Sequence, residues 1–146
     1  MELYMRIKNA TDLLKAHLKY FIGETNKWIA LFADNACMEY PYAPAIGLHK
    51  TLTGSQEIQK GRASFLETLE NPVFKPLKLY ELTDGSALGE YELFGKVKAT
   101  GKVYRQVYVG ILFSENGKIR LLREYYDPTQ ILRAFNEVDS LSLQIK

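Results

Sequence analysis

The chain has 146 residues, 47% of them hydrophobic and 25% charged, which is ordinary globular usage and excludes a disordered or fibrous protein. Nineteen Lys and Arg against seventeen acids leave a formal charge of +2 spread through every segment, so no basic stripe points to nucleic acid. A single cysteine, Cys37, offers no internal disulfide, and no long apolar run reads as a signal or membrane span, so the expected setting is reducing and cytoplasmic, with no membrane partner.

From Ala10 the residues Ala10, Leu13, Leu14, His17, Leu18, Phe21 and Ile22 form a helical stripe, closed by Gly23. Thr25 reads as the N-cap of a short second helix carrying Trp28, Ile29 and Phe32. Ala36 to Tyr40 sets Cys37 and Glu39 against Ala36, Met38 and Tyr40, the alternation of a strand that Pro41 ends. A Pro-rich loop follows, and Thr53-Gly54-Ser55-Gln56 has the spacing of a capping box opening a third helix with Ile58, Phe65, Leu66 and Leu69 on one face. Arg62 shares that face.

Beyond Asn71-Pro72 the period becomes two, with turn formers at Asp84-Gly85, Gly101 and Asn116-Gly117, which predicts four antiparallel strands. Asp127-Pro128 reads as N-cap and first residue of a closing helix with Ile131, Leu132 and Phe135, after which the last residues are expected to fray. The order is helix, helix, strand, helix, four strands, helix: one α+β domain over residues 1–146.

No phosphate loop, nucleophile elbow or paired cysteines occur, and His17 and His49 have no ligand spacing, so neither a metal nor a cofactor is expected. His17, on a buried helix face, reads as a hydrogen-bonded core histidine, and His49 as an exposed loop residue. In the strand from Val103 to Phe113, Val103, Val107, Val109, Ile111 and Phe113 share a face with Arg105, while Tyr104, Gln106, Tyr108 and Leu112 share the other. The valine face is expected inside, which leaves the tyrosine row with Phe94 and Tyr125 for a homodimer contact. In the last strand Leu122, Glu124 and Tyr126 share a face, and periodicity does not decide which side they take. An inward Glu124 needs an arginine such as Arg62 or Arg105, or else a raised pKa, and either state supports proton transfer.

Leu31 through Pro41, Leu52 through Ile58, and Glu115 through Arg120 followed by Arg123 through Pro128 resemble the SnoaL-like and ketosteroid-isomerase-like branch of the nuclear transport factor 2-like superfamily. The last of these segments is most similar to phenazine-biosynthesis A/B proteins. The resemblance implies a cone, a cystatin-like roll in which a curved antiparallel sheet wraps helices around a pocket for a small apolar or aromatic ligand. It places Glu124 on a proton-donating glutamate, Tyr40 where the isomerases carry their base, Val109 at their oxyanion acid, and Tyr20 near their first-helix tyrosine. Arg62 falls near the phenazine proteins' third-helix histidine. Two functions fit. One is a cofactor-free isomerase, cyclase or lyase in which Glu124 and Tyr40 act on substrate, Arg62 holds an anionic group, and Arg105, Tyr126, Tyr20, Val109, Phe65 and Trp28 line the site. The other is a ligand-binding or dimerisation protein of the same shape, in which an arginine on Glu124 favours a carboxylated ligand.

Overall fold

Asn9 begins the first helix, α1 (Ala10–Tyr20), by accepting the Asp12 amide on its side chain at 2.9 Å, and the apolar stripe predicted for it is buried from Ala10 to Leu18. The computed structural model describes residues 6–136, so the expected fraying of the final residues lies outside them. The second helix, α2 (Thr25–Ile29), is a single turn with Thr25 inside it. Phe32 does not continue it but starts strand β1 (Phe32–Glu39), its ring packed 4.7 Å from Trp28.

A 3-10 turn at Ala43–Ile46 and a short strand β2 (Thr51–Thr53) lead into α3 (Ser55–Glu67). No hydroxyl caps α3. Its N-cap is Gly54, held at φ +85°, and the Glu57 carboxylate reaches back to accept the Thr53 amide at 2.7 Å. Four long strands follow: β3 (Leu69–Glu81), β4 (Ala87–Val97), β5 (Val103–Glu115) and β6 (Lys118–Tyr126). Asn116 and Gly117, at φ 52° and 75°, make the tight turn between the last two. Asp127 caps α4 (Pro128–Phe135), with Pro at its first position as predicted.

The sheet runs β2-β1-β6-β5-β4-β3. It is mixed, because β1 lies parallel to β6 while every other neighbour is antiparallel. The helices and the core occupy one face, reached by Ala36 and Met38 of β1, Tyr91 and Leu93 of β4, and Leu122, Glu124 and Tyr126 of β6.

On β5 the structure reverses the expected parity. Tyr104, Gln106, Tyr108 and Leu112 are buried, whereas Val103 is 71% and Val107 52% exposed. Aliphatic content misleads here because the inward polar groups of β5 all find partners and so bear little desolvation cost. In β6 the register slips at Arg120, so that Ile119 and Leu122, of opposite parity, both point inward.

Candidate functional site

Glu124 stands on the inner face of β6 and is 5% exposed. A carboxylate so placed needs donors. Tyr91 supplies one: its hydroxyl donates to Glu124 Oε2 from two strands away. The phenol reaches that far because Gly110, the β5 residue paired with Glu124, has no side chain; a Cβ there would fall on the Tyr91 hydroxyl.

The second donor is His17, from α1. Trp28 Nε1 lies 2.9 Å from His17 Nδ1, and His17 Nε2 lies 3.4 Å from Glu124 Oε2. An indole nitrogen only donates, so Nδ1 must be the bare acceptor and the imidazole proton sits on Nε2, aimed at the carboxylate. Both bonds converge on Oε2. Oε1 has no hydrogen-bond partner among the described residues.

Rings enclose this group. Tyr91 and Tyr108 stack at 5.7 Å, Phe74 stands edge-on to Tyr91, Tyr108 and His17, and Tyr126 bridges Tyr108 at 6.0 Å and Tyr40 at 6.1 Å. Burial first, and the charge of Glu124 second, raise the phenol pKa values of Tyr40 and Tyr91 well above the tyrosine range. For Tyr108, burial and its neighbour Tyr104 act ahead of Glu124, in the same direction. These phenols therefore stay protonated donors at neutral pH.

A second chain of polar groups runs behind Tyr108. Gln106 Oε1 accepts the Asp127 amide at 3.1 Å, while its Nε2 donates to the Asp127 carbonyl at 2.8 Å and to Tyr104 Oη at 3.1 Å. Tyr104 Oη in turn lies 3.3 Å from Tyr108 Oη. Burial pushes the Tyr104 phenol up to about 12.

The expected site residues divide. Glu124, Tyr40 and Tyr126 come together, with Trp28 behind His17 and Phe65 edge-on to Tyr104 at 6.1 Å. Arg62 is buried but does not meet Glu124. Its Nε donates to the Phe21 carbonyl at 2.7 Å and its Nη1 to Thr25 Oγ1 at 3.1 Å, and the guanidinium lies over the Phe21 and Trp28 rings. It clamps α3 to the α1–α2 corner. Tyr20 faces the ammonium groups of Lys19 and Lys27. Arg105 and Val109 lie on the opposite face of the sheet, Arg105 paired with Glu92 at 2.6 Å, because the parity of β5 is the reverse of that expected. Tyr104, Tyr108 and Leu112, assigned to an outer dimer face, are interior for the same reason.

Sequence reasoning missed His17, Tyr91, Gln106, Tyr108 and Gly110 as parts of this site. His17 is the buried, hydrogen-bonded histidine expected; the missing signal was its partner, 107 residues away. Two surface clefts, one of about 500 Å³ between α2, β1 and α3 and one of about 370 Å³ between α1 and β3, do not include Glu124. Among the described residues, no helix is long and apolar enough to cross a membrane.

This architecture has close counterparts. A suggested isomerase of Bacillus subtilis superposes with a TM-score of 0.76 at 27% identity, over 89% of this chain and 94% of that one. Other solved counterparts are described as nuclear transport factor 2-like, ketosteroid isomerase-like in fold, or SnoaL-like, at TM-scores of 0.75, 0.70 and 0.73 and at most 22% identity. The fold is that of the nuclear transport factor 2-like superfamily. By sequence, the uncharacterized protein YesE of Bacillus subtilis is 28% identical over 88% of each chain. An uncharacterized PhzA/B-like protein of Pseudomonas aeruginosa is 29% identical over 90% of this chain and 94% of its own. These neighbours match the branch that the sequence resembles. No family model matches the sequence.

Proposed function

We propose that this protein is a cofactor-free cytoplasmic enzyme that moves a proton on a small ring compound, with Glu124 as the proton carrier. One observation carries the reading: a buried carboxylate has one oxygen held by two donors, His17 and Tyr91, and the other left without a partner inside a ring of phenols. The two donors meet Oε2 and leave Oε1 as an unpartnered acceptor, so Glu124 is placed to act as a base. Oε1 takes a proton from carbon, the electron pair left behind moves into the substrate's conjugated system, and Oε1 returns the proton at another position. That sequence is balanced within an isomerisation and needs no co-reactant. The counterpart described as a suggested isomerase is in keeping with this reading.

Arg62 has no part in this reading, since its guanidinium is held at the α1–α2 corner by the Phe21 carbonyl and Thr25 Oγ1 and does not meet Glu124. The outer face of the sheet, with Val73, Val103 and Val107 exposed in neighbouring strands, is proposed as the contact of a homodimer.

A second reading, a non-catalytic ligand-binding or dimerisation protein of the same fold, is favoured by the close packing of Phe74, Tyr91 and Tyr108, which gives the polar groups around Glu124 a structural role. Deuterium uptake from heavy water by small cyclic ketones, followed by proton NMR, separates the two. The enzyme reading expects uptake catalysed by the wild-type protein and slowed about 10²- to 10⁴-fold in Glu124→Gln, with ligand affinity largely kept. A Glu124→Gln protein that exchanges at the parent rate removes Glu124 as the carrier, and a wild-type protein that exchanges nothing favours binding.

A further inference from the structure

The cleft of about 370 Å³ between α1 and β3 differs from the larger one in its charge and in how its floor is held. The larger cleft sets Asp34 beside Lys118, whose ammonium already donates to the Ala30 carbonyl at 2.6 Å. The smaller has Lys15 and Lys19 on its rim, Leu18, Phe74, Pro76 and Leu79 as apolar walls, and no acid among its lining residues. Its volume lies in the range of small-molecule sites. A bulge in β3 shapes it. Phe74, Pro76 and Leu79 pair with the inward residues Leu93, Tyr91 and Gly89, because the register slips between Pro76 and Lys78 and so keeps Leu79 on the same face as the other two. Gly89 sets the depth: a Cβ there would come within 2.9 Å of Leu79 and 2.8 Å of Leu14, so only glycine lets Leu79 sink toward α1. The Phe74 ring is fixed from behind by Phe21 at 5.1 Å, Tyr91 at 5.3 Å and His17 at 5.7 Å. The floor is therefore preformed, and a ligand does not have to order it.

The geometry points to this cleft as a binding site for a small aromatic carboxylate, its ring against Phe74, Pro76 and Leu79 and its anionic group between Lys15 and Lys19. The two lysines stand one turn apart on the same face of α1, where their like charges repel, and an anion between them relieves that repulsion. Among the described residues neither is paired with an acid, and Lys19 meets only the Tyr20 ring, at 5.8 Å. The apolar floor supplies affinity for a flat ring, and the paired ammonium groups select among such rings for an acid. The Phe74 ring separates this cleft from Glu124, so the inference does not rest on proton transfer there.

Naphthoate and naphthamide, substituted at the same ring position, have nearly one shape and differ in charge, so together they test the rim and the floor. Titrations followed in the methyl NMR spectrum of leucine-labelled protein give both affinities, and nuclear Overhauser contacts from the naphthyl ring locate the ligand. The wild-type protein is expected to bind naphthoate about five- to tenfold more tightly than naphthamide, with contacts from the ring to the Leu18 and Leu79 methyl groups. The double substitution Lys15→Gln and Lys19→Gln, at two exposed helix positions, is expected to remove that preference by weakening naphthoate alone, leaving naphthamide within about twofold. Pro76→Glu, which sets a carboxylate at the exposed side of the wall, is expected to weaken naphthoate by at least as much. Naphthoate that does not bind, that binds without contacting Leu18 and Leu79, that binds no better than naphthamide, or that keeps its preference after the double substitution overturns the inference.

Discussion

The inner and outer faces of β5 use the same backbone for opposite purposes. Inside stand Tyr104, Gln106, Tyr108 and Gly110, polar or without a side chain; outside stand Val103, Val107, Val109 and Ile111. Every polar group inside is held by a neighbour, and Gly110 contributes an absence that lets Tyr91 cross to Glu124. The outer polar contacts are of another kind: Arg105, its side chain 67% exposed, meets the buried carboxylate of Glu92 at 2.6 Å. The interior is thus organised by directed hydrogen bonds and the exterior by exposed aliphatic area.

The largest way to break that contrast is to fill the gap at Gly110. Gly110→Ala drives a methyl group into the Tyr91 hydroxyl, so that either the phenol moves and Glu124 loses a donor or the strands separate. The expected cost is about 3 kcal/mol in urea unfolding, overpacking and the lost charge-assisted bond together. A loss below about 1 kcal/mol would show that Tyr91 is not held across this gap. The same substitution at Gly117, on the exposed turn where a Cβ meets nothing, tests only its positive φ and is expected to cost about 1 kcal/mol.

Alkaline pH probes the inner face without mutation. The folded phenols of Tyr91 and Tyr108 have pKa values raised above the unfolded tyrosine value, so above pH 10 the unfolded chain loses protons that the native protein keeps. The contribution is complete below pH 10 and declines as pH rises toward the folded pKa values, by about 1.4 kcal/mol per pH unit for each tyrosine. Unfolding curves between pH 9 and 11.5 measure it. Tyr91→Phe is expected to flatten the slope by one proton, and an unchanged slope contradicts the burial of a protonated phenol there.

The smallest effect on the monomer belongs to the outer face. Val107→Lys changes a residue that is 52% exposed, so its effect on monomer stability is expected to stay within about 0.5 kcal/mol, while a dimer built on the valine row dissociates in light scattering. A dimer that withstands the substitution is formed elsewhere.

Much of the architecture was legible in the sequence. The stripe of α1, the Asn116-Gly117 turn and the Asp127-Pro128 start of α4 are local signals, decided within a few residues. The parity of β5 was not legible, because hydrophobicity ranks Val above Tyr and Gln, whereas the structure buries the residues that have partners. Glu124 was singled out, yet its partners were not, since His17, Tyr91 and Glu124 meet only through pairing across 107 and 33 residues. A slip at Arg120 also changes parity in β6 without leaving a mark that period-two reading detects. The parallel pairing of β1 with β6 is likewise a topological fact that local patterns do not carry.

The central claim is that Tyr91 and His17, the latter with its tautomer set by Trp28, hold one oxygen of Glu124 and leave the other for a ligand. Nitrogen-15 NMR of histidine-labelled protein tests it most directly, because the chain has only two histidines and the exposed His49 serves as an internal reference. At pH 7.5 His17 is expected to show a single tautomer with the proton on Nε2 and a bare Nδ1, and Trp28→Phe is expected to release that preference. A proton on Nδ1 of His17, or a ring exchanging between tautomers, contradicts the account.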